Sequence, residues 1–497
     1  MAPRICGAPF YQLPRTMRAL VFSLLLAVLF AAACRKGDIR SDGIPDTRMS
    51  VDAINLSGEN RLNSSVRLSW FGTDADGYVV GYEISLDANN WFFTEAQDSV
   101  FLFDIPPGQD TADIDFYVRA IDNDGNVDPS PAYLQVPLIN TPPEATLLND
   151  RGPGDTAFIA ATFFWQASDP DGDNTLEDVQ IRVNEGPWVS INRGQNIFTL
   201  LPDTSVQSGE AEAQIYYGQS TAPSGQTVAG LRVNDTNRIY IRAIDIAQAV
   251  SPIDTADLFY FRSKSSGTRI LWLSGHPQDV TNQYRTFLDG AGLRYDLFNV
   301  GFKQGENLPK YFDPTVQLIF AQYDQAFLNL PNTSFTNTIT GVEESLLSSL
   351  APVIQRFSDQ GGQYMLTTIF STGENISNAV SVYPISRLSE STAPGSQARI
   401  VIDSALVPLQ SGNFPNLQPQ SIQSGVVPMV ATTDAEDFYR AQLTPLRGWN
   451  GPSDVVAAVR RPNNRLTQVF FALELHNFDR PNGSVTQLIS EIFNNEF

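Results

Sequence analysis

The sequence predicts a multidomain chain: two all-β sandwiches followed by an α/β domain on a doubly wound parallel sheet. Three observations predict it. A pattern of tryptophan, Asp-rich turn and alternating strand occurs twice in the first part of the chain. Both copies later carry the same Tyr-x-Arg-Ala-Ile-Asp strand. From Thr268 onward the texture changes to unbroken apolar strands alternating with amphipathic helices, which points to a parallel sheet covered on both faces. With 497 residues and 42% hydrophobic side chains, the chain can build about three folded domains.

The first element is residues 17–34, MRALVFSLLLAVLFAAAC. A charged start, an apolar middle and three alanines before a cysteine make an export signal. The apolar run from Ala19 to Ala33 is shorter than the ~20 residues that span a bilayer. The stretch resembles the lipobox of bacterial lipoproteins. That resemblance implies removal of residues 1–33 and acylation of Cys34, so that the membrane is a partner through the lipid anchor. Residues 1–16 lack apolar continuity, and Met17 makes a better start than Met1. Arg35 stands where an aspartate would signal retention at the inner membrane, so the resemblance implies the outer membrane. A plain secretory signal and an uncleaved spanning helix are the alternatives.

Cleavage would remove Cys6 and leave the Cys34 sulfur in a thioether, with no disulfide, cysteine metal site or cysteine nucleophile. The net charge is −22, and residues 1–33 hold Arg4, Arg15 and Arg18 with no acid, so the remainder is more acidic still. Such a chain repels phosphates, which excludes non-specific nucleic-acid binding.

Residues 34–47 are polar and Gly/Pro-bearing and read as a tether. The first sandwich spans 48–139, with VRLSWFGTDADGYVVGYEISLDANNWFF and then FYVRAIDNDGNVDPSP. The second spans 142–263, with ATFFWQASDPDGDNTLEDVQIRVNEGPWVSI and then IYIRAIDIAQAVSP. Short strands broken by Gly, Asp, Asn and Pro turns argue for sandwiches. These residues resemble fibronectin type III and immunoglobulin-like domains of bacterial surface proteins. Pro142-Pro143 marks the joint, and the Gly/Ser/Gln-rich stretch 206–228 reads as an inserted loop. Trp70 and Trp165 read as core residues. Trp91 and Trp188 either pack inward or stack on a sugar.

The Asp-rich turns have two readings. Asp74-Ala75-Asp76-Gly77 and Asp169-Pro170-Asp171-Gly172-Asp173 place carboxylates closely enough to share a calcium ion, with Asp169, Asp171 and Asp173 the better set. Asp and Gly are also ordinary turn residues, through Asx hydrogen bonds and left-handed φ.

The third domain spans 267–497. Ile270–Gly275 reads as a buried strand, Asn282–Ala291 as a helix, and Leu293–Phe298 and Val316–Phe320 as strands. Glu343–Asp359 reads as a helix before Gly361-Gly362, followed by the strand Gln363–Ile369. The strand Thr467–Leu475 and the helix Val485–Asn494 close the chain. The helix, Gly-Gly and apolar strand resemble the glutamine-amidotransferase-like fold of exported bacterial α/β domains. Residues 376–450 depart from it as an irregular insertion. The family's chemistry needs a cysteine nucleophile, which this domain lacks, so amidase activity is not implied.

Ser371, His476 and Asp479 are the available substitutes, in an order suited to a hydrolase triad, without a Gly-x-Ser-x-Gly elbow. His276, beyond the first strand, could share their crevice, because parallel-sheet sites gather at carboxyl ends of strands. The two histidines with Asp279 or Asp479 are a further metal option, though no His-x-x-x-His spacing supports it. The leading functional reading is an envelope lipoprotein that binds or assembles with a glycan or protein through a catalytically silent α/β domain. The alternatives are a Ser371 hydrolase and a structural spacer.

Overall fold

Alternation along the repeated Tyr-x-Arg-Ala-Ile-Asp strand shows how the first sandwich forms. In Thr111–Asp122, side chains 116, 118, 120 and 122 are buried, while Tyr117, Arg119 and Ile121 face the other way. The computed structural model describes residues 43–51, 61–62, 64–301, 314–332, 334–336, 341–371, 373–380, 382–389, 397–446, 448–451 and 454–497. The expected export signal and Cys34 lie outside the described residues. The chain divides into two units, Met1–Thr141 and Pro142–Phe497. It is mostly β-sheet.

In the first unit, one sheet orders the strands Asp46–Val51, Ser65–Thr73 and Asp98–Leu102. The other orders Phe92–Thr94, Val79–Ser85, Thr111–Asp122 and Ala132–Ile139. Trp70 is 2% exposed, and its ring centroid lies 6.3 Å from Tyr82 and 6.2 Å from Phe116. Its indole N–H donates to Ala96 O at 2.9 Å.

The second sandwich opens the second unit. Its five-stranded sheet orders Thr227–Val233, Gly209–Tyr217, Ile197–Pro202, Ala161–Ser168 and Glu144–Leu147. A four-stranded sheet orders Val189–Ile191, Leu176–Val183, Ile239–Asp245 and Asp254–Thr255. Trp165 is buried here as Trp70 is in the first. Residues 206–228 are not an inserted loop. Gly209–Tyr217 is a strand, because Ala211, Ala213 and Ile215 alternate inward within an otherwise polar run.

The remainder builds an eight-stranded mixed sheet. Its strands in chain order are β1 (Ile270–Ser274), β2 (Tyr295–Asn299), β3 (Gln325–Leu330), β4 (Gln363–Thr368), β5 (Leu406–Pro408), β6 (Glu436–Ala441), β7 (Val455–Arg460) and β8 (Gln468–Phe471). Their spatial order is β2-β1-β3-β4-β8-β7-β6-β5. The first five positions pair in parallel, and the remaining contacts are antiparallel. Among the described residues its α-helices are α1 (Gln278–Gly290), α2 (Thr315–Phe320), α3 (Leu346–Asp359) and α4 (Ser484–Ser490).

The expected all-parallel, doubly wound sheet is therefore not what forms. Residues 376–450 supply the antiparallel strands β5 and β6, together with smaller sheets, rather than further strand–helix pairs. Val316–Phe320 is helix, not strand: it lies within α2, whose six residues are all buried, and β3 follows it. A short apolar run fits either state by pattern alone.

Adjacent residues of β1 enter opposite cores. Leu271 and Leu273 join α2 and α3, and with them Phe158, Ile159 and Ala160 of the second sandwich. Ile270 and Trp272 join α1 and α4. An edge of the sandwich thus helps cover one face of the sheet, with Phe158 and Phe298 centroids 5.5 Å apart.

Candidate functional site

The carboxyl ends of β1, β3, β4 and β8 meet in a buried polar cluster. Beyond β1 the chain passes through Gly275, where a Cβ would lie 2.5 Å from Leu346 and 2.6 Å from Pro331, so only glycine fits the turn. His276 follows, 4% exposed, before α1 begins. Beyond β8, Glu474 precedes the short turn Leu475–Asn477 that carries His476. Thr367 of β4 pins this turn: its hydroxyl donates to Leu473 O and accepts from Leu475 N–H. Tyr284 of α1 is fully buried, and its hydroxyl accepts from His476 N–H at 3.3 Å. Asn329 of β3 links Trp272 and Ser274 through its side-chain amide.

The two histidines come together. Their ring centroids are 5.9 Å apart at 70°, and the His476 ring lies 5.5 Å from Tyr284. Glu474 stands between them, one carboxyl oxygen 3.7 Å from His276 Nε2 and the other 3.9 Å from His476 Nε2. Burial lowers the pKa of each histidine to about 4, and in His276 the neighbouring His476 adds to the effect. Burial also raises that of Glu474. The rings are therefore neutral near pH 7, and these contacts are too long for hydrogen bonds. His276 Nε2 and His476 Nδ1 are buried without a hydrogen-bond partner. Each such group costs about 1–3 kcal/mol. Glu474 also lines a solvent-open hollow of about 410 Å³ with Ile369, Phe370, Gly425, Val427 and Asn477.

The other expected residues go elsewhere. Ser371 is exposed; its Oγ accepts from Asn332 Nδ2 at 2.8 Å, and its N–H donates to Glu374. Asp479 accepts from Gly483 N–H and Val485 N–H at 3.0 and 2.9 Å, tying down the start of α4. No hydrogen bond joins Ser371 to His476, or His476 to Asp479, so the triad is not assembled. Its members come from a surface loop, a buried turn and a helix start, which chain order alone does not distinguish. Asp279 acts on both rings through its charge. Among the described residues no three His, Cys, Asp or Glu side chains form a ready metal shell.

Sequence reasoning missed Glu474 and Tyr284. Glu474 had a visible signal, a lone acid inside the apolar run Phe470–Leu475; Tyr284 looked like any core residue of α1. Trp91 and Trp188 are half-buried and do not pack inward as core residues do. Arg119 lies 4.0 Å over the Trp91 ring, and Arg242 lies 4.3 Å over Trp188, so the same arginine of the repeat stacks on the same tryptophan.

No family model matches this chain, and no curated protein matches it. Among solved structures it is similar to the fibronectin(III)-like modules of Clostridium thermocellum CbhA, at 13% identity and TM-score 0.18, covering 43% of this chain and 94% of that one. A two-domain fibronectin type III segment of chicken tenascin gives 9% identity and TM-score 0.20, covering 44% and 99%. A carbohydrate deacetylase gives 14% and 0.24, covering 41% of this chain and 29% of that one. Likenesses this weak carry no argument about function. Among the described residues no helix is long and apolar enough to cross a membrane.

Proposed function

We propose that this chain is a lipid-anchored binding protein of the bacterial envelope, with Cys34 as the anchor and the polar cluster of the mixed sheet as its ligand site. One observation supports the ligand site above the rest: His276, Glu474 and His476 gather with unpaired ring nitrogens while Ser371 and Asp479 are engaged elsewhere. That is a polar receptacle in which neither Ser371 nor Asp479 takes part. Neutral imidazoles each offer one donor and one acceptor, and the Glu474 carboxyl accepts through two oxygens. Hydroxyl groups satisfy such a set, so an envelope glycan fragment is the favoured ligand over a protein. It would reach the cluster from the hollow at Glu474. The mixed sheet serves as the scaffold of the ligand site, and the sandwiches serve as spacing modules.

The test is calorimetric titration with soluble envelope-glycan fragments. Saturable binding that Glu474→Gln and His476→Gln each weaken at least tenfold is expected, with no turnover in the wild type or in Ser371→Ala. Equal binding by the variants, or hydrolysis lost in Ser371→Ala, would sink the reading. For the anchor, Cys34→Ser should move the protein from the membrane fraction to the soluble one.

A further inference from the structure

The two sandwiches differ in charge on one matching sheet face. In the first, Glu83 pairs opposite Arg119 on the adjacent strand, and Ser85 opposite Tyr117. Glu83 Oε2 accepts from Arg119 Nε at 2.7 Å and lies 2.6 Å from Nη2, so the guanidinium stacked on Trp91 is neutralised. In the second, the same register sets Gln180 opposite Arg242 and Arg182 opposite Tyr240. A glutamine stands in place of the acid and an arginine in place of the serine. The neutral pair is replaced by two positive charges.

These charges are held close together. The Arg182 guanidinium lies 4.9 Å over Trp188 and 4.5 Å over Tyr240, and that of Arg242 lies 4.3 Å over Trp188. Gln180 Oε1 accepts from Arg242 Nε and Nη2 at 2.9 and 2.7 Å, which fixes the guanidinium without cancelling its charge. Arg182 Nε is buried without a hydrogen-bond partner. All four side chains are otherwise partly exposed.

Among the described residues no acid forms an ion pair with Arg182 or Arg242, although the chain carries 54 Asp and Glu against 32 Lys and Arg. Nearby acids are committed elsewhere. Asp178, on the same face, accepts from Gln180 and Ser190, while Asp169 and Asp173 accept from amides of their own turn. Two unpaired cations around one ring repel each other, and a bridging anion relieves both.

We infer that this face of the second sandwich is a docking surface for an acidic polysaccharide, whose carboxylates bridge Arg182 and Arg242. Charge complementarity requires an anionic partner. Planar guanidiniums held against aromatic rings present their donors edge-on, which suits the two oxygens of a uronic acid carboxylate. A pleated sheet face does not enclose a small solute, whereas an extended chain with a carboxylate on every sugar meets both guanidiniums at once. The exposed rims of Trp188 and Tyr240 offer apolar surface to the sugar rings. The face shares no residue with the Glu474 cluster, so this inference and the reading of that cluster stand or fall separately.

The experiment titrates the full chain with polygalacturonate and with its fully methyl-esterified form, at about 0.05 and 0.5 M NaCl. Saturable binding of the acid form is expected, weakening as salt screens the contact, with the ester about tenfold or more weaker. Gln180→Glu rebuilds the neutral pair of the first sandwich and should weaken binding about tenfold or more, as should Arg182→Ser. Both variants should melt within about 4 °C of the wild type, which separates a lost contact from a damaged fold. Equal binding by both variants, or equal binding of acid and ester, would overturn the inference. Polyglutamate bound as tightly as polygalacturonate would assign the face to an acidic peptide and overturn it as well.

Discussion

The two sandwiches share a skeleton residue by residue yet differ in what surrounds it. In both, a tryptophan fills the core, an arginine stacks on a second tryptophan, and the repeated strand ends in a buried aspartate. The first forms its core within its own unit, with Trp70 ringed by aromatic side chains. The second lends Phe158, Ile159 and Ala160 to the core of the mixed sheet. Asp74 and Asp76 are half-buried in the first turn, whereas their counterparts Asp169 and Asp171 are buried in the second. The repeat thus specifies a sandwich, while its surroundings decide how deeply the same turn is desolvated.

The largest expected effects test the shared cores. Trp165→Ala should destabilise the second unit by about 3–5 kcal/mol, and Trp70→Ala the first by a similar amount. Urea unfolding followed separately for each unit would show it, and an unchanged midpoint would refute a core role. Phe158→Ala should cost about 3 kcal/mol and lower the stability of sandwich and sheet together, leaving the first unit untouched. Separate loss of the sandwich alone would break the claim of a shared core.

Acidification should weaken the second unit selectively. Each histidine titrates near 6.5 when unfolded and about 4 when folded, so the unfolded chain binds more protons between those values. Stability held above pH 6.5 is lost as pH falls through 4, at most ~3 kcal/mol per ring. Glu474, raised by burial, acts in the opposite direction and offsets part of the loss. His276→Gln with His476→Gln should flatten the profile, measured by chemical denaturation from pH 7.5 to 4.

Smaller effects sharpen the contrast. The Trp70 indole donates to Ala96 O, while that of Trp165 is buried without a partner. Trp70→Phe should therefore cost about 1–2 kcal/mol more than Trp165→Phe. Arg119→Leu and Arg242→Leu should each cost only ~0.5–1 kcal/mol, since both stacks are half-exposed. A loss of several kcal/mol at either would show that the stack governs the fold.

Legibility followed period. The strand alternation at Phe116–Ala120 and the amphipathic face of α1 are local patterns, and their elements lie where the pattern puts them. Val316–Phe320 was ambiguous because an apolar run with every residue buried has no period to read. The site was half-legible. His276 and His476 each stand beyond a strand end, and the parallel order of β1, β3, β4 and β8 brings those ends together. Ser371 and Asp479 had the same apparent credentials but are held by Asn332 and by the start of α4.

By itself the sequence determined the repeat, the buried tryptophans and the acidic charge, because each depends on residues close in the chain or on composition. Only the tertiary structure decided that Glu474 stands between two histidines, that the charge of Asp245 acts on Asp169, and that a sandwich edge covers the sheet. The long-range contacts among these close across 76 to 198 residues, and local pattern carries no record of which distant surface will exclude water from which side chain.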